Sequence, residues 1–262
     1  MGSAGIEGRR GVGGVSVRVL GMGGPVVARL GAAAAATLVA FLVGLGVGGS
    51  AAAGPGPVRQ LRSVTVPVRA VALTFDDGPS PDYTPAIVAL LQQYDARGTF
   101  FVIGQELVRD PEVARETAAA GMELANHGMN HLTLVGVDPT TIAAEAAPVE
   151  RELTAITGAR PTLYRLPGGR GDARSLRALS DLGYTVVNWS IDTHDFLPRS
   201  AAQITAQVEA QVQPGSIVIF HDGGGDQQHT VDALRLLLPA LKAQGYQLLT
   251  VSQLLQLGQP VF

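Results

Sequence analysis

The chain has 262 residues, 46% of them hydrophobic and 16% charged, with no cysteine and a formal net charge of −3. That length and apolar content suit one or two domains with a sizeable core, and exclude a disordered chain, a collagen and a disulfide-stapled mini-protein. Without cysteine, any metal must be held by His, Asp or Glu.

In chain order, residues 1–57 come first. Arg9, Arg10, Arg18 and Arg29 stand there against Glu7, a net of +3, which leaves −6 for residues 58–262. A body that acidic is a poor partner for nucleic acid, which is bound through Lys and Arg at phosphates. The 24 residues from Leu30 to Ala53 carry no charge and end in Ala51-Ala52-Ala53 before Gly54-Pro55-Gly56-Pro57. Basic residues, an apolar run and a small-residue site in that order make a secretory signal. The run is also long enough to span a bilayer, so membrane attachment through residues 30–53 is the alternative. Either reading sends the body outside the cytoplasm, secreted or on the outer face of the membrane. The expected organisation is therefore 1–57 as signal or anchor with a short linker, and 58–262 as one catalytic domain.

The body alternates strand and helix. Strands are predicted at Val68–Phe75, Thr99–Ile103, Glu123–Asn126, Thr162–Arg165, Thr185–Ser190, Ser216–Phe220 and Gln247–Val251, each short, apolar or β-branched and bounded by turn residues. Helices are predicted at Tyr83–Tyr94, Glu106–Ala119, Pro139–Thr157, Ala173–Leu182, Ala201–Val212 and Thr230–Ala243, with a short one at the C-terminus. Seven strands alternating with helices imply a parallel sheet with crossovers, either open and doubly wound or closed into a barrel.

Polar punctuation gathers at one end of that sheet. Asp76 and Asp77 follow the first strand, His127 and His131 the third, Arg165 the fourth, Asp192 and Asp195 the fifth, and His221 and Asp222 the sixth. The incoming loops carry mostly Gly, Pro and Ala. In parallel α/β architectures the carboxyl ends of the strands build the active site. His127 and His131, four apart, are expected on one side of a helical turn, where they can chelate a divalent cation with a carboxylate as third ligand. Adjacent carboxylates at Asp76 and Asp77 repel unless a cation neutralises one and the other serves as a base. His221 follows an apolar strand and precedes Asp222 and three glycines, which suggests an open loop. Asp195 or Asp192 would orient it. A cation, a base carboxylate and an acid imidazole specify metal-assisted hydrolysis of a carbonyl compound. Glu145, Glu150 and Glu152 read as a solvated helix face. His194 and His229 are left without a role, and no protein partner is indicated.

Five segments carry a family resemblance. Thr74-Phe75-Asp76-Asp77-Gly78-Pro79, Asn126-His127-Gly128-Met129-Asn130-His131, Arg165-Leu166-Pro167-Gly168-Gly169, Trp189 to Phe196, and Ile217 to Asp222 resemble, in order, the five signatures of the polysaccharide deacetylases, the NodB-homology domain or carbohydrate esterase family 4. The resemblance implies a distorted (β/α) barrel of about seven parallel strands. It implies Asp77, His127 and His131 as metal ligands, usually for Zn²⁺, and Asp76 as the general base, held in place and kept charged by Arg165. It implies His221 as the general acid paired with Asp195, the Gly168 N–H as an oxyanion donor, and Ile219 and Phe196 as the lining for an acetyl methyl. The implied substrate is an acetylated polysaccharide: peptidoglycan or chitin-type N-acetylglucosamine, with an O-acetyl xylan esterase or a silent carbohydrate-binding module as alternatives. Three positions depart from the family pattern. Gly128 stands where Ser or Thr is usual, at the cost of a local hydrogen bond. Gly168 stands for a Tyr, which opens the groove, and Phe196 for a Trp.

Overall fold

The computed structural model describes residues 58–262; the signal or anchor expected at 30–53 lies outside the described residues. Among those described, no helix is long and apolar enough to cross a membrane. The elements are β1 (Ser63–Thr65), β2 (Ala70–Asp76), α1 (Thr84–Gln93), β3 (Gly98–Val102), α2 (Gly104–Arg109), α3 (Pro111–Ala119), β4 (Glu123–Asn126), α4 (Pro139–Thr157), β5 (Leu163–Tyr164), α5 (Ala173–Asp181), β6 (Thr185–Val186), β7 (Ile191–Asp192), α6 (Ala201–Gln211), β8 (Ile217–His221), α7 (Gln228–Ala243), β9 (Gln247–Leu249), α8 (Val251–Leu257) and β10 (Gln259–Val261).

Seven strands run parallel in the order β6-β5-β4-β3-β2-β8-β7, and β9 pairs β2 off that path. β6 and β7 are the two edges of this sheet, yet only four residues separate them in sequence. A chain that short spans at most about 17 Å, so the sheet curls into an incomplete barrel. The single strand expected at Thr185–Ser190 is thus two short ones. Leu61 explains the break: it bridges Val187 and accepts from the Asn188 N–H, so the segment leaves β5 before it reaches β8.

Strand alternation sorts the side chains. In β2, Val71, Leu73 and Phe75 face the helices and join Phe100 of β3 and Phe220 of β8 in the main core. Ala70 and Ala72 point inward, to a smaller core closed by Leu61, Val64, Val251 and Leu254. Thr74 and Asp76 share that inward parity. The same rule turns Ile219 and His221 of β8 inward, and His127 and Arg165, one residue beyond β4 and β5. Parity, more than any motif, aims these groups at one volume.

Besides the split strand, one predicted helix is corrected and one unpredicted ribbon is added. The helix at Glu106–Ala119 is two helices, because Pro111 cannot continue α2 and instead opens α3 at its first turn. Pro148, by contrast, is accommodated inside an unbroken α4. β1 and β10 form an unpredicted antiparallel ribbon; β10 is exposed throughout and has no apolar alternation to announce it.

Candidate active site

The carboxyl ends of the strands enclose a cavity of about 330 Å³. Asp76, Asp77, His127, His131, Gly168, Phe196, Ile219 and His221 all line it. Arg165 and Asp195 stand directly behind, both fully buried. All ten residues named from the sequence therefore meet at one place.

Asp77 Oδ1 lies 3.4 Å from His127 Nε2 and 3.3 Å from His131 Nε2. It is buried and accepts no hydrogen bond, and the three ligand atoms fall within 4.8 Å of one another. An orphaned carboxylate oxygen facing two imidazole nitrogens is a costly arrangement unless a cation belongs between them. His127 Nδ1 sits 2.8 Å from the Arg165 carbonyl. That oxygen can only accept, so it fixes the proton on Nδ1 and leaves the Nε2 lone pair facing Asp77. Burial pushes the Asp77 carboxyl up, but the charges of His127, His221 and His131 around it hold it net below the usual range. Burial pushes His131 down against the pull of Asp77, which favours the neutral, ligating imidazole.

The two histidines do not sit on a helical turn. Residues 127–131 form a loop, with Gly128 at φ 82° and His131 at φ 53°; left-handed backbone at two of five positions rules out a helix. Glu145 of α4 holds this loop, accepting from Asn130 N at 2.8 Å and Asn130 Nδ2 at 2.5 Å. Glu145 is therefore buried and bonded, not part of a solvated face. Glu150 likewise takes the Tyr184 hydroxyl at 2.6 Å and the Arg160 guanidinium. Glu152 stays exposed, as expected. A Cβ at Gly128 would lie 2.9 Å from the Tyr164 hydroxyl, and that hydroxyl is itself buried without a partner.

On one side of the candidate cation site, Arg165 donates to Asp76 Oδ1 at 2.6 Å and to Thr74 Oγ1 at 2.8 Å. Its guanidinium lies 4.0 Å over the Phe101 ring and 5.6 Å over that of Trp189. Asp76 Oδ2 remains on the cavity side, 3.8 Å from His127 Nε2. On the other side, His221 Nδ1 meets Asp195 Oδ1 at 2.6 Å. Asp195 Oδ2 accepts from His221 N and Thr230 Oγ1, both at 2.8 Å, and the Asp195 carbonyl meets His229 Nε2. The choice left open between Asp192 and Asp195 thus falls on Asp195; Asp192 instead lines the cavity and takes the His194 N–H. Burial pushes His221 down, but the Asp195 hydrogen bond and charge, with Asp76 and Asp77, raise it to about 9.

Gly168 has φ 62°, and the nearest atom to a Cβ there would be 4.0 Å away, so the groove is open at that point. Phe196 stands at the rim, 57% exposed, 5.8 Å from the His221 ring. Sequence reasoning gives Trp189, Thr74, Glu145 and Asp222 no role in the site. Thr74 was findable by parity with Asp76. Asp222, expected in an open loop, is buried. Trp189 and Glu145 are placed by tertiary packing that no local pattern encodes.

A barrel with a candidate Asp–His–His cation site, flanked by a carboxylate–guanidinium pair and an imidazole–carboxylate pair at the carboxyl ends of its strands, defines a class: hydrolases that cleave acyl groups with an acid and a base. The comparisons with known proteins are specific. Residues 63–187 match the family model described as polysaccharide deacetylase. A peptidoglycan-N-acetylglucosamine deacetylase of Bacillus cereus is 37% identical over 71% of this chain and 88% of its own length. A chitooligosaccharide deacetylase of Bradyrhizobium sp. (strain ANU 289) is 35% identical over 71% of this chain and 90% of its own. The solved structure of the Bc1960 peptidoglycan N-acetylglucosamine deacetylase superposes with a TM-score of 0.72 at 31% identity, covering 76% of this chain and 93% of that one. The chain belongs to the polysaccharide deacetylase family, and is a hydrolase acting on carbon–nitrogen bonds other than peptide bonds.

Proposed function

We propose that this enzyme removes N-acetyl groups from the amino sugars of a polysaccharide, peptidoglycan first and chitin-type N-acetylglucosamine second, with the help of Zn²⁺. The observation that carries the reading is the orphaned Asp77 Oδ1 between two imidazole nitrogens, set between one group built to accept a proton and one built to donate it. Asp77, His127 and His131 would hold the ion, which supplies Lewis-acid polarisation of the acyl oxygen and the attacking water.

The remaining work falls to the chain. Arg165 occupies Asp76 Oδ1, which leaves Oδ2 to take a proton from water as the carbonyl carbon is attacked. The Gly168 N–H offers a main-chain donor to the developing oxyanion. His221, held through Nδ1 by Asp195 and cationic below about pH 9, donates from Nε2 to the leaving amine. Ile219, buried beside it, and Phe196 border the acetyl methyl. Two relatives are named as a peptidoglycan-N-acetylglucosamine deacetylase and a chitooligosaccharide deacetylase, which supports the substrate class. The basic leader and uncharged run of residues 1–57 support an exported catalytic domain over 58–262, which meets the wall first; fractionation of expressing cells checks it.

The test is acetate release from peptidoglycan, N-acetylglucosamine oligomers and acetylated xylan, side by side. N-acetylated substrates should respond and xylan should not. Asp76→Asn should lower the rate by about 10²–10⁴-fold while zinc stays stoichiometric. A variant with near-wild-type turnover would remove Asp76 from the role of base, and a preference for xylan would move the protein to the ester-cleaving branch.

A further inference from the structure

Asp222 is fully buried, borders no solvent and is used by none of the steps above. Its carboxylate nevertheless joins three elements at the site. Oδ1 accepts from the Gly78 N–H at 3.2 Å. Oδ2 accepts from Thr84 Oγ1, at the start of α1, at 2.5 Å. Thr84 Oγ1 in turn accepts from Ser80 N at 2.8 Å, and Asp222 N donates to the Asp76 carbonyl at 3.0 Å. The loop after β2, the first turn of α1 and the end of β8 are thereby tied to one side chain.

What lies between those ties is Asp77, at φ 76°. A non-glycine residue in left-handed backbone persists only where its surroundings impose it. The surroundings are visible. Gly223 packs so closely that a Cβ on it would overlap the Asp77 carbonyl, and a Cβ on Gly224 would lie 2.9 Å from Asp77 Oδ2. A Cβ on Gly78 would in turn overlap the Asp222 carboxylate. The Asp222-Gly223-Gly224 run is therefore a mould for the loop, and its glycines serve close approach to Asp77.

We infer that Asp222 is a positioning residue for the candidate cation site: by holding Gly78 and Thr84 while Gly223 and Gly224 pack on Asp77, it fixes the Asp77 carboxylate opposite His127 and His131. This inference rests on the proposed Asp–His–His cation site. Partners that orient a ligand typically govern affinity by about 10–100-fold, and that is the effect expected here.

The experiment measures Zn²⁺ affinity of the purified protein by competition with a chromogenic chelator, alongside the thermal midpoint of the metal-stripped protein. Asp222→Ala should weaken zinc by about 10–100-fold while still unfolding cooperatively. Asp222→Asn, which keeps an acceptor for the Gly78 N–H, should restore most of the affinity. Saturating zinc should return the activity of Asp222→Ala with KM for N-acetylglucosamine oligomers unchanged. Because zinc also stabilises any folded form, the comparison is made at a temperature where the metal-stripped variant is already folded, so that the rescue reports affinity and not refolding. If Asp222→Ala does not fold, Thr84→Val, which removes a single hydroxyl, should weaken zinc in the same direction. Wild-type affinity in the folded variants would overturn the inference and leave the cation site standing. A wild type that binds no zinc would overturn both.

Discussion

Asp195 meets His221 with both oxygens, one at the ring and one at the backbone N–H. The pairing has a pH signature with a definite sign. Burial pushes the imidazole down and Asp195 more than reverses it, from an ordinary 6.5 to about 9. A group whose folded pKa is raised contributes stability in full below its unfolded pKa, and loses it as pH rises through the folded one. The contribution should therefore be complete below pH 6.5 and gone above about pH 9, amounting to roughly 3 kcal/mol at most. Denaturant titrations of metal-stripped wild type and His221→Gln, at pH 6 and pH 9.5, should show the gap between them shrinking by that order. A gap that does not change with pH would mean the pair is not ionic. The same protonation sets the high-pH limb of turnover, so activity should fall above about pH 9. His221 and Asp195 were legible because strand ends in a parallel sheet converge. Strand alternation alone leaves Asp192 and Asp195 both open, because it does not say where β7 ends; the motif resemblance chooses Asp195, the residue that meets the ring.

At the scale of elements, the sequence carried the sheet–helix alternation well and its punctuation less well. β4 and α4 fall where periodicity puts them, and most other boundaries differ by one or two residues, as fraying and capping lead one to expect. Pro111 was a stop signal available in the sequence. The loop of residues 127–131 was not readable: four-residue spacing fits a helix, and only tertiary contacts reveal that Gly128 and His131 take left-handed backbone. Glu145 is the strongest of those contacts. Because its two oxygens hold Asn130 N and Nδ2, Glu145→Ala should free the loop and weaken zinc about tenfold or more. Glu145→Gln, which keeps an acceptor for Asn130 N, should weaken it less. Chelator competition reads both. Equal affinity in all three proteins would show that His131 is held by its own backbone alone.

At the scale of the molecule, every ligand and proton-transfer group comes from the carboxyl ends of β2, β4, β5 and β8 or the loop after β7, so the site exists only when the sheet has curled. The gathering of polar residues at one end of the sheet was legible from alternation. The closure was not, since it depends on Leu61 parting β6 from β7 and on a ribbon between the two ends of the described chain. This dependence makes cation binding a property of the folded state. Asp77 and His131 sit on separate loops, so an unfolded chain offers no comparable site. A ligand bound by the folded state alone stabilises by about 2.7 kcal/mol at a hundred times its Kd. For a domain of this size each kcal/mol is worth roughly 2–4 °C. Zinc at that excess should thus raise the thermal midpoint of chelator-stripped protein by roughly 5–10 °C, and ethylenediaminetetraacetate should reverse it. Asp77→Ala removes the one carboxylate shared by both imidazoles, so its midpoint should not respond to zinc. A rise of equal size in Asp77→Ala would place the stabilising ion elsewhere and separate the fold's stability from the groove that Asp76 and His221 flank.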